Sequence, residues 1–167
     1  MDDDLRWLIA FLSDTGMRLA EAVGLLVTDI KLDTDVPHVV IQQHQWRPLK
    51  TASSERTVPL VGKSLWAARR INDTATSPYA FPRYNDGKRA NANHASAALN
   101  KWLRTRVPKD CVVHSFRHSM RDRLRAVQCP FDIVDRIGGW TTAGIGHSYG
   151  AGYELPVLHE WMMKITD

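Results

Sequence analysis

The stretch from His114 to Val127 constrains the fold of this chain most, because its side chains divide into two faces at helical spacing. One face is apolar and carries Phe116, Met120, Leu124 and Val127. The other face is basic and carries His114, Arg117, His118, Arg121 and Arg125. A helix of this kind buries its apolar stripe against a core and leaves the opposite face for solvent or a ligand.

The remaining sequence predicts a mainly helical domain with one small sheet. Apolar residues at helical spacing predict further helices over 5–12, 18–24, 63–72, 93–106, 131–137 and 156–164. Strands are predicted over 27–30, 36–43 and 56–59, and the polar stretch 44–55 is predicted as the hairpin between the last two. We therefore expect an α+β fold with an antiparallel three-stranded sheet, formed as a single domain over residues 1–167.

The composition fits a soluble globular protein. Hydrophobic residues make up 44% of the 167 residues and charged residues 24%, both ordinary fractions for such a chain. No apolar run is long enough to span a bilayer, so a membrane protein is not indicated. Cys111 and Cys129 lack metal-ligand spacing, and we expect both to be reduced thiols.

Positive charge is concentrated in one segment. The chain has a net charge of +4, whereas residues 101–125 hold eight Lys or Arg against Asp110 and Asp122, a net of +6. A concentrated basic segment suits a polyanion, and nucleic acid is the usual one. A solvated basic helix face is the alternative on charge alone.

Four short motifs carry residue types that suit phosphate chemistry. Arg18 follows a Thr-Gly turn at a helix start, where unpaired amides favour an anion. His114 and Arg117 share one helix face. Lys50 lies in the polar hairpin, and Tyr149 comes nine residues after Trp140. Arginine matches phosphate oxygens, lysine can supply a proton, and a tyrosine hydroxyl can hold a covalent phosphate.

In this order and spacing, the motifs resemble the catalytic domain of tyrosine recombinases, the phage integrase family. The matching segments are Thr15-Gly16-Met17-Arg18-Leu19-Ala20-Glu21, Lys50-Thr51, His114-Ser115-Phe116-Arg117-His118, Gly139-Trp140 and Tyr149-Gly150. The resemblance runs from about Leu5 to Ile165 and implies the fold of that catalytic domain. It also implies that the N-terminal core-binding domain of relatives is absent and that the chain is a fragment of a longer integrase.

The resemblance implies DNA strand cleavage and rejoining, with a role for each matched residue. Tyr149 attacks the scissile phosphate, forms a 3′-phosphotyrosine and releases a 5′-hydroxyl. Arg18 and Arg117 hold the nonbridging oxygens, and Lys50 protonates the leaving oxygen. His114 acts as a base or hydrogen-bond donor. Trp140 stands where many relatives have histidine and supports the phosphate, and no metal or cofactor is required.

The implied partners follow from the same resemblance. They are double-stranded DNA with attachment-type sites and, for the full-length protein, further copies in a tetramer on DNA. The implied setting is the cytoplasm of a bacterial host, associated with the nucleoid, with a role in integrating a prophage. The resemblance also favours docking of the last helix on a neighbouring protomer.

Three alternatives stay open. A type IB topoisomerase shares this chemistry but relaxes one duplex instead of exchanging strands. A non-catalytic DNA-binding module would need the basic residues and no nucleophile. Within the recombinase interpretation, Tyr153 competes with Tyr149 as the nucleophile.

Overall fold

The computed structural model describes residues 2–51, 54–141 and 152–166, and within them the chain forms seven α-helices and three strands. The helices are α1 (Asp4–Thr15), α2 (Leu19–Val23), α3 (Gly62–Asp73), α4 (Ala92–Leu103), α5 (Ser115–Ala126), α6 (Phe131–Gly138) and α7 (Leu155–Met163). The strands are β1 (Ile30–Lys31), β2 (His38–Ile41) and β3 (Arg56–Pro59). The α+β prediction is confirmed, and most predicted helices begin and end within a few residues of the observed ones.

The strands form one antiparallel sheet in the order β1-β2-β3. Val39 of β2 pairs with Val58 of β3, and Ile41 pairs with Arg56. The prediction for 27–30 is wrong in part, because Val27–Asp29 is a 3₁₀ turn and pairing begins only at Ile30. The Asp29 carboxylate accepts the backbone N–H of Leu26 at 2.9 Å, which stabilises the turn over an extended strand.

The core forms where α1 packs against α3 and α5. Leu8 and Phe11 of α1 are buried there, as are Met120 and Leu124 of the predicted α5 stripe. Phe116 and Val127 of the same stripe are half-buried at its edge. The core therefore covers the apolar face of α5, as its periodicity requires, and fixes the helix that carries Arg117.

A glycine turn brings the end of α1 against α5. Gly16 has a φ of 62°, in the left-handed region, and its N–H donates to the carbonyl of Leu12 at 3.2 Å. A Cβ at this position would lie 2.8 Å from Cγ of Met120. The turn thus depends on glycine both for its backbone angle and for its close approach to α5.

The last helix packs against β3 of its own chain. Leu158, Met162 and Ile165 are buried, and Arg123 of α5 donates to the carbonyl of Ile165 at 3.3 Å. The expectation that this segment docks on a neighbouring protomer is therefore wrong for α7, because its apolar stripe already covers its own core. None of the described helices is long and apolar enough to cross a membrane.

Candidate active site

Arg18 lies at the start of α2 and is held by groups from three elements. Its Nη1 donates to Oε1 of Glu21 at 2.7 Å and to Oγ of Ser54 at 3.2 Å, just before β3. Its Nη2 donates to the carbonyl of Gly139, after α6, at 3.4 Å. The side chain remains 26% exposed, so its guanidinium is oriented by the protein and still accessible from solvent.

Arg117 is 5% exposed and approaches Arg18 from α5. Its Nη1 donates to the carbonyl of Gly16 at 2.6 Å, and its guanidinium lies 4.3 Å above the centre of the Trp140 ring. Its Nη2 is buried without a hydrogen-bond partner among the described residues. An unsatisfied buried donor is costly, and an anion bound between the two arginines would satisfy it.

The positive charges around Arg117 affect its pKa. Burial, followed by the positive charges of Arg18 and Arg56, lowers the pKa of Arg117 to about 10, although Glu21 partly offsets them. The guanidinium is therefore still charged at neutral pH, but it is less stable in that form than in water. A bound anion would reverse this effect.

Trp140 lies close to two arginines of α5. Its ring centre is 4.3 Å from the Arg117 guanidinium and 5.2 Å from that of Arg121. Its backbone N–H donates to the carbonyl of Asp135 at 3.0 Å, which fixes the chain after α6. Because guanidinium groups are attracted to the face of an indole, Trp140 orients Arg117 directly.

His114 immediately precedes the first turn of α5, and its ring centre is 4.9 Å from that of His118. Partial burial and the positive charges of His118, Arg117, Arg18 and Lys50 lower the pKa of His114 below its ordinary value. The imidazole is therefore uncharged at neutral pH and can accept a proton or donate a hydrogen bond.

Lys50 is exposed in the hairpin, near enough for its charge to contribute to the shift at His114. The adjacent Thr51 places its hydroxyl 3.0 Å from that of Ser54, which in turn contacts Arg18. The side of the hairpin that leads into β3 is thus connected to Arg18 through Ser54. These contacts bring five of the predicted site residues to one region: Arg18, Lys50, His114, Arg117 and Trp140.

The sixth predicted residue, Tyr149, lies outside the described residues, and its assignment as nucleophile stays a prediction. The competing Tyr153 is described, and its hydroxyl donates to the Asp132 carboxylate of α6. That hydrogen bond, together with slight burial and the negative charge of Asp132, raises the pKa of Tyr153. Tyr153 is therefore held in its protonated form, which is the less nucleophilic one.

Arg56 was not among the predicted site residues, and its side chain is fully buried. It donates to Glu21, the same carboxylate that holds Arg18. The sequence indicates its burial through the alternation of side chains along a strand. Arg56 is two residues before the apolar Val58 and therefore lies on the same face of the sheet. A charged residue on the buried face of a strand needs a partner of opposite charge.

Comparisons with known proteins agree with this arrangement. Two solved chains of the Tn1549 transposon integrase share the fold, one in complex with transposon right end DNA and one with a circular intermediate DNA. The first is 19% identical, with a TM-score of 0.56, and the match covers 81% of this chain and 50% of that one. The second is 17% identical, with a TM-score of 0.58, and the match covers 85% and 55%.

This chain therefore spans about half the length of the solved structures that it matches. No curated protein sequence matches it. The model of the phage integrase family matches residues 3–153, nearly the whole chain. With that match and the shared fold, the chain belongs to the phage integrase family.

Proposed function

We propose that this chain is the catalytic domain of a site-specific recombinase that cleaves and rejoins DNA through a 3′-phosphotyrosine. The observation that carries the proposal is the convergence of Arg18 and Arg117, from separate elements, with a buried donor of Arg117 left unpartnered. Two guanidinium groups placed in this way can bind the nonbridging oxygens of one phosphodiester. They also stabilise the additional negative charge that develops as the phosphate is attacked.

The other residues supply proton transfer and the nucleophile. Lys50 would protonate the leaving 5′-oxygen, and an exposed lysine in a hairpin can reach a bound duplex. His114, uncharged at neutral pH, would accept the proton of the tyrosine or donate to a phosphate oxygen. Tyr149 would form the covalent bond, and a 5′-hydroxyl would later displace it, so the energy of the phosphodiester is retained.

The proposed partners rest on two kinds of support. Double-stranded DNA is supported by the DNA complexes of the solved neighbours and by the net charge of +6 over 101–125. Attachment-type sites, a tetramer on DNA and association with the nucleoid of a bacterial host rest on the family resemblance. A topoisomerase activity would use the same groups, and supercoil relaxation measured beside paired-site recombination would separate the two activities.

The nucleophile is tested by covalent capture on DNA. A pool of short duplexes, nicked within a randomised sequence, is incubated with the chain, and denatured protein–DNA adducts are recovered and sequenced. We expect the unchanged chain and Tyr153→Phe to form adducts, whereas Tyr149→Phe forms none. Peptide mapping of the adduct locates the phosphotyrosine.

Each tyrosine variant is the control for the other, because each loses a single hydroxyl and the two positions are close in sequence. Adducts that persist in Tyr149→Phe and vanish in Tyr153→Phe would assign the nucleophile to Tyr153. Binding without any adduct from the unchanged chain would favour a non-catalytic DNA-binding module.

A further inference from the structure

We propose that Arg56 is a positioning residue, which holds Arg18 in its phosphate-binding orientation and sets the distance between the hairpin, α2 and Trp140. This inference rests on the proposed function, because it assigns Arg18 a role in the reaction. Arg56 does not reach the phosphate site itself, since its side chain is 0% exposed and its Nε, Nη1 and Nη2 all donate to protein groups.

The Arg56 guanidinium contacts three of the elements that meet at the site. Its Nη2 and Nη1 donate to the two carboxylate oxygens of Glu21, in α2, at 2.9 and 3.3 Å. Its Nη1 also donates to the carbonyl of Ser54, in the hairpin, at 2.8 Å. Its Nε donates to the carbonyl of Ile137, in α6, at 2.9 Å. One planar group therefore joins three segments that are far apart in sequence.

Glu21 transmits this arrangement to Arg18. Its Oε1 accepts from Nη1 of Arg18 at 2.7 Å, and its Oε2 accepts from the backbone N–H of Arg18 at 2.9 Å. Burial alone would raise the pKa of Glu21, but the charge and hydrogen bonds of Arg56, together with the hydrogen bonds of Arg18, lower it below its ordinary value. The carboxylate thus stays ionised, and its position fixes the Arg18 side chain.

The backbone at Gly139 lies so close to Arg56 that a side chain at this position would meet the guanidinium. A Cβ at position 139 would lie 2.8 Å from Nη1 of Arg56, and the φ of Gly139 is 60°. The carbonyl of Gly139 accepts from Arg18, and the next residue is Trp140, against which Arg117 stacks. Arg56 therefore also limits how far the segment that carries Trp140 can move toward α2.

Lysine cannot replace Arg56 in this role. It keeps the charge opposite Glu21, but a single ammonium group cannot donate in the plane of a guanidinium to Glu21, Ser54 and Ile137 together. We expect Arg56→Lys to slow formation of the adduct by roughly 10- to 100-fold, since a small displacement of a catalytic group has effects of this size. DNA affinity should change little, because many exposed cations contribute to it.

The test measures the rate of adduct formation at saturating nicked duplex, using a sequence recovered from the randomised pool. Arg56→Lys, Arg18→Lys and the double variant form a cycle. If Arg56 acts through Arg18, adding Arg56→Lys to Arg18→Lys causes little further loss. Arg47→Lys is the matched control, since Arg47 is also buried in the hairpin region and its hydrogen bond goes to the carbonyl of Gln42 at 2.7 Å.

The outcomes separate this inference from the proposed function. If the unchanged chain forms no adduct, the proposed function fails first. If it does form one, two results overturn the inference: Arg56→Lys behaving like Arg47→Lys, or losses that multiply in the double variant. Should Arg56→Lys fail to fold by circular dichroism, Glu21→Gln takes its place in the cycle with the same expectation. Unfolding of both variants would show that the pair maintains the fold and would also overturn the inference.

Discussion

At the scale of the residue, Arg117 combines burial, a stacked aromatic ring and an unpartnered donor. We expect Arg117→Lys to slow adduct formation by about 10²–10³-fold, because removing one preorganised donor from an oxyanion site has an effect of that size. Lysine keeps the charge but cannot both stack on Trp140 and donate to two phosphate oxygens. The measurement is the single-turnover rate of adduct formation on the nicked duplex.

Arg125→Lys is the matched control for this prediction, since Arg125 lies on the same helix with its side chain 48% exposed. Its rate of adduct formation should equal that of the unchanged chain. An equal rate for Arg117→Lys would mean that Arg117 does not contact the phosphate during the reaction.

The residues proposed to act on the phosphate were predictable from sequence, and those that support them were not. Arg18, His114 and Arg117 stand in short motifs whose spacing places them on helix starts and faces. Arg56 depends on contacts with Glu21 and Ile137, which are 35 and 81 residues away. Local sequence patterns do not predict contacts between residues so far apart. Only the alternation of side chains along β3 indicated that Arg56 is buried.

At the scale of the element, helices were predicted well because apolar periodicity over three turns is a strong signal. The 3₁₀ turn at Val27–Asp29 was missed, because one side-chain hydrogen bond from Asp29 decides it. The surface against which α7 packs was also not predicted correctly. Its apolar stripe showed that a surface must cover it, but periodicity does not say whether that surface belongs to the same chain.

Two adjacent methionines of α7 test its packing. Met162 is fully buried and Met163 is 45% exposed. We expect Met162→Ala to lower the free energy of unfolding by about 2–5 kcal/mol, the range for a buried methionine replaced by alanine. Met163→Ala should change it by no more than about 0.5 kcal/mol. Urea unfolding followed by circular dichroism measures both.

Equal effects of the two substitutions would contradict the packing of α7 against its own sheet. Stability of Met162→Ala that depends on protein concentration would instead place this face at an interface between chains.

At the scale of the whole molecule, the proposed mechanism stabilises the phosphate with the guanidinium groups of Arg18 and Arg117. In the described part of the chain, no group of three His, Cys, Asp or Glu residues could hold a metal ion. We expect the rate of adduct formation to be the same in EDTA and in magnesium. Loss of adduct in EDTA that magnesium restores would contradict a mechanism based on Arg18 and Arg117.

The close approach at Gly139 has a consequence for the gene. Every base change that alters the amino acid encoded by a glycine codon introduces a Cβ, and at this position the Cβ would meet the Arg56 guanidinium. Aspartate, which one base change in a glycine codon can encode and which tolerates a left-handed backbone better than most residues, brings the same atom. Any single-base substitution that changes the residue at position 139 therefore combines a strained left-handed backbone with displacement of the Arg56 guanidinium that holds Glu21, although the glycine itself carries no side chain.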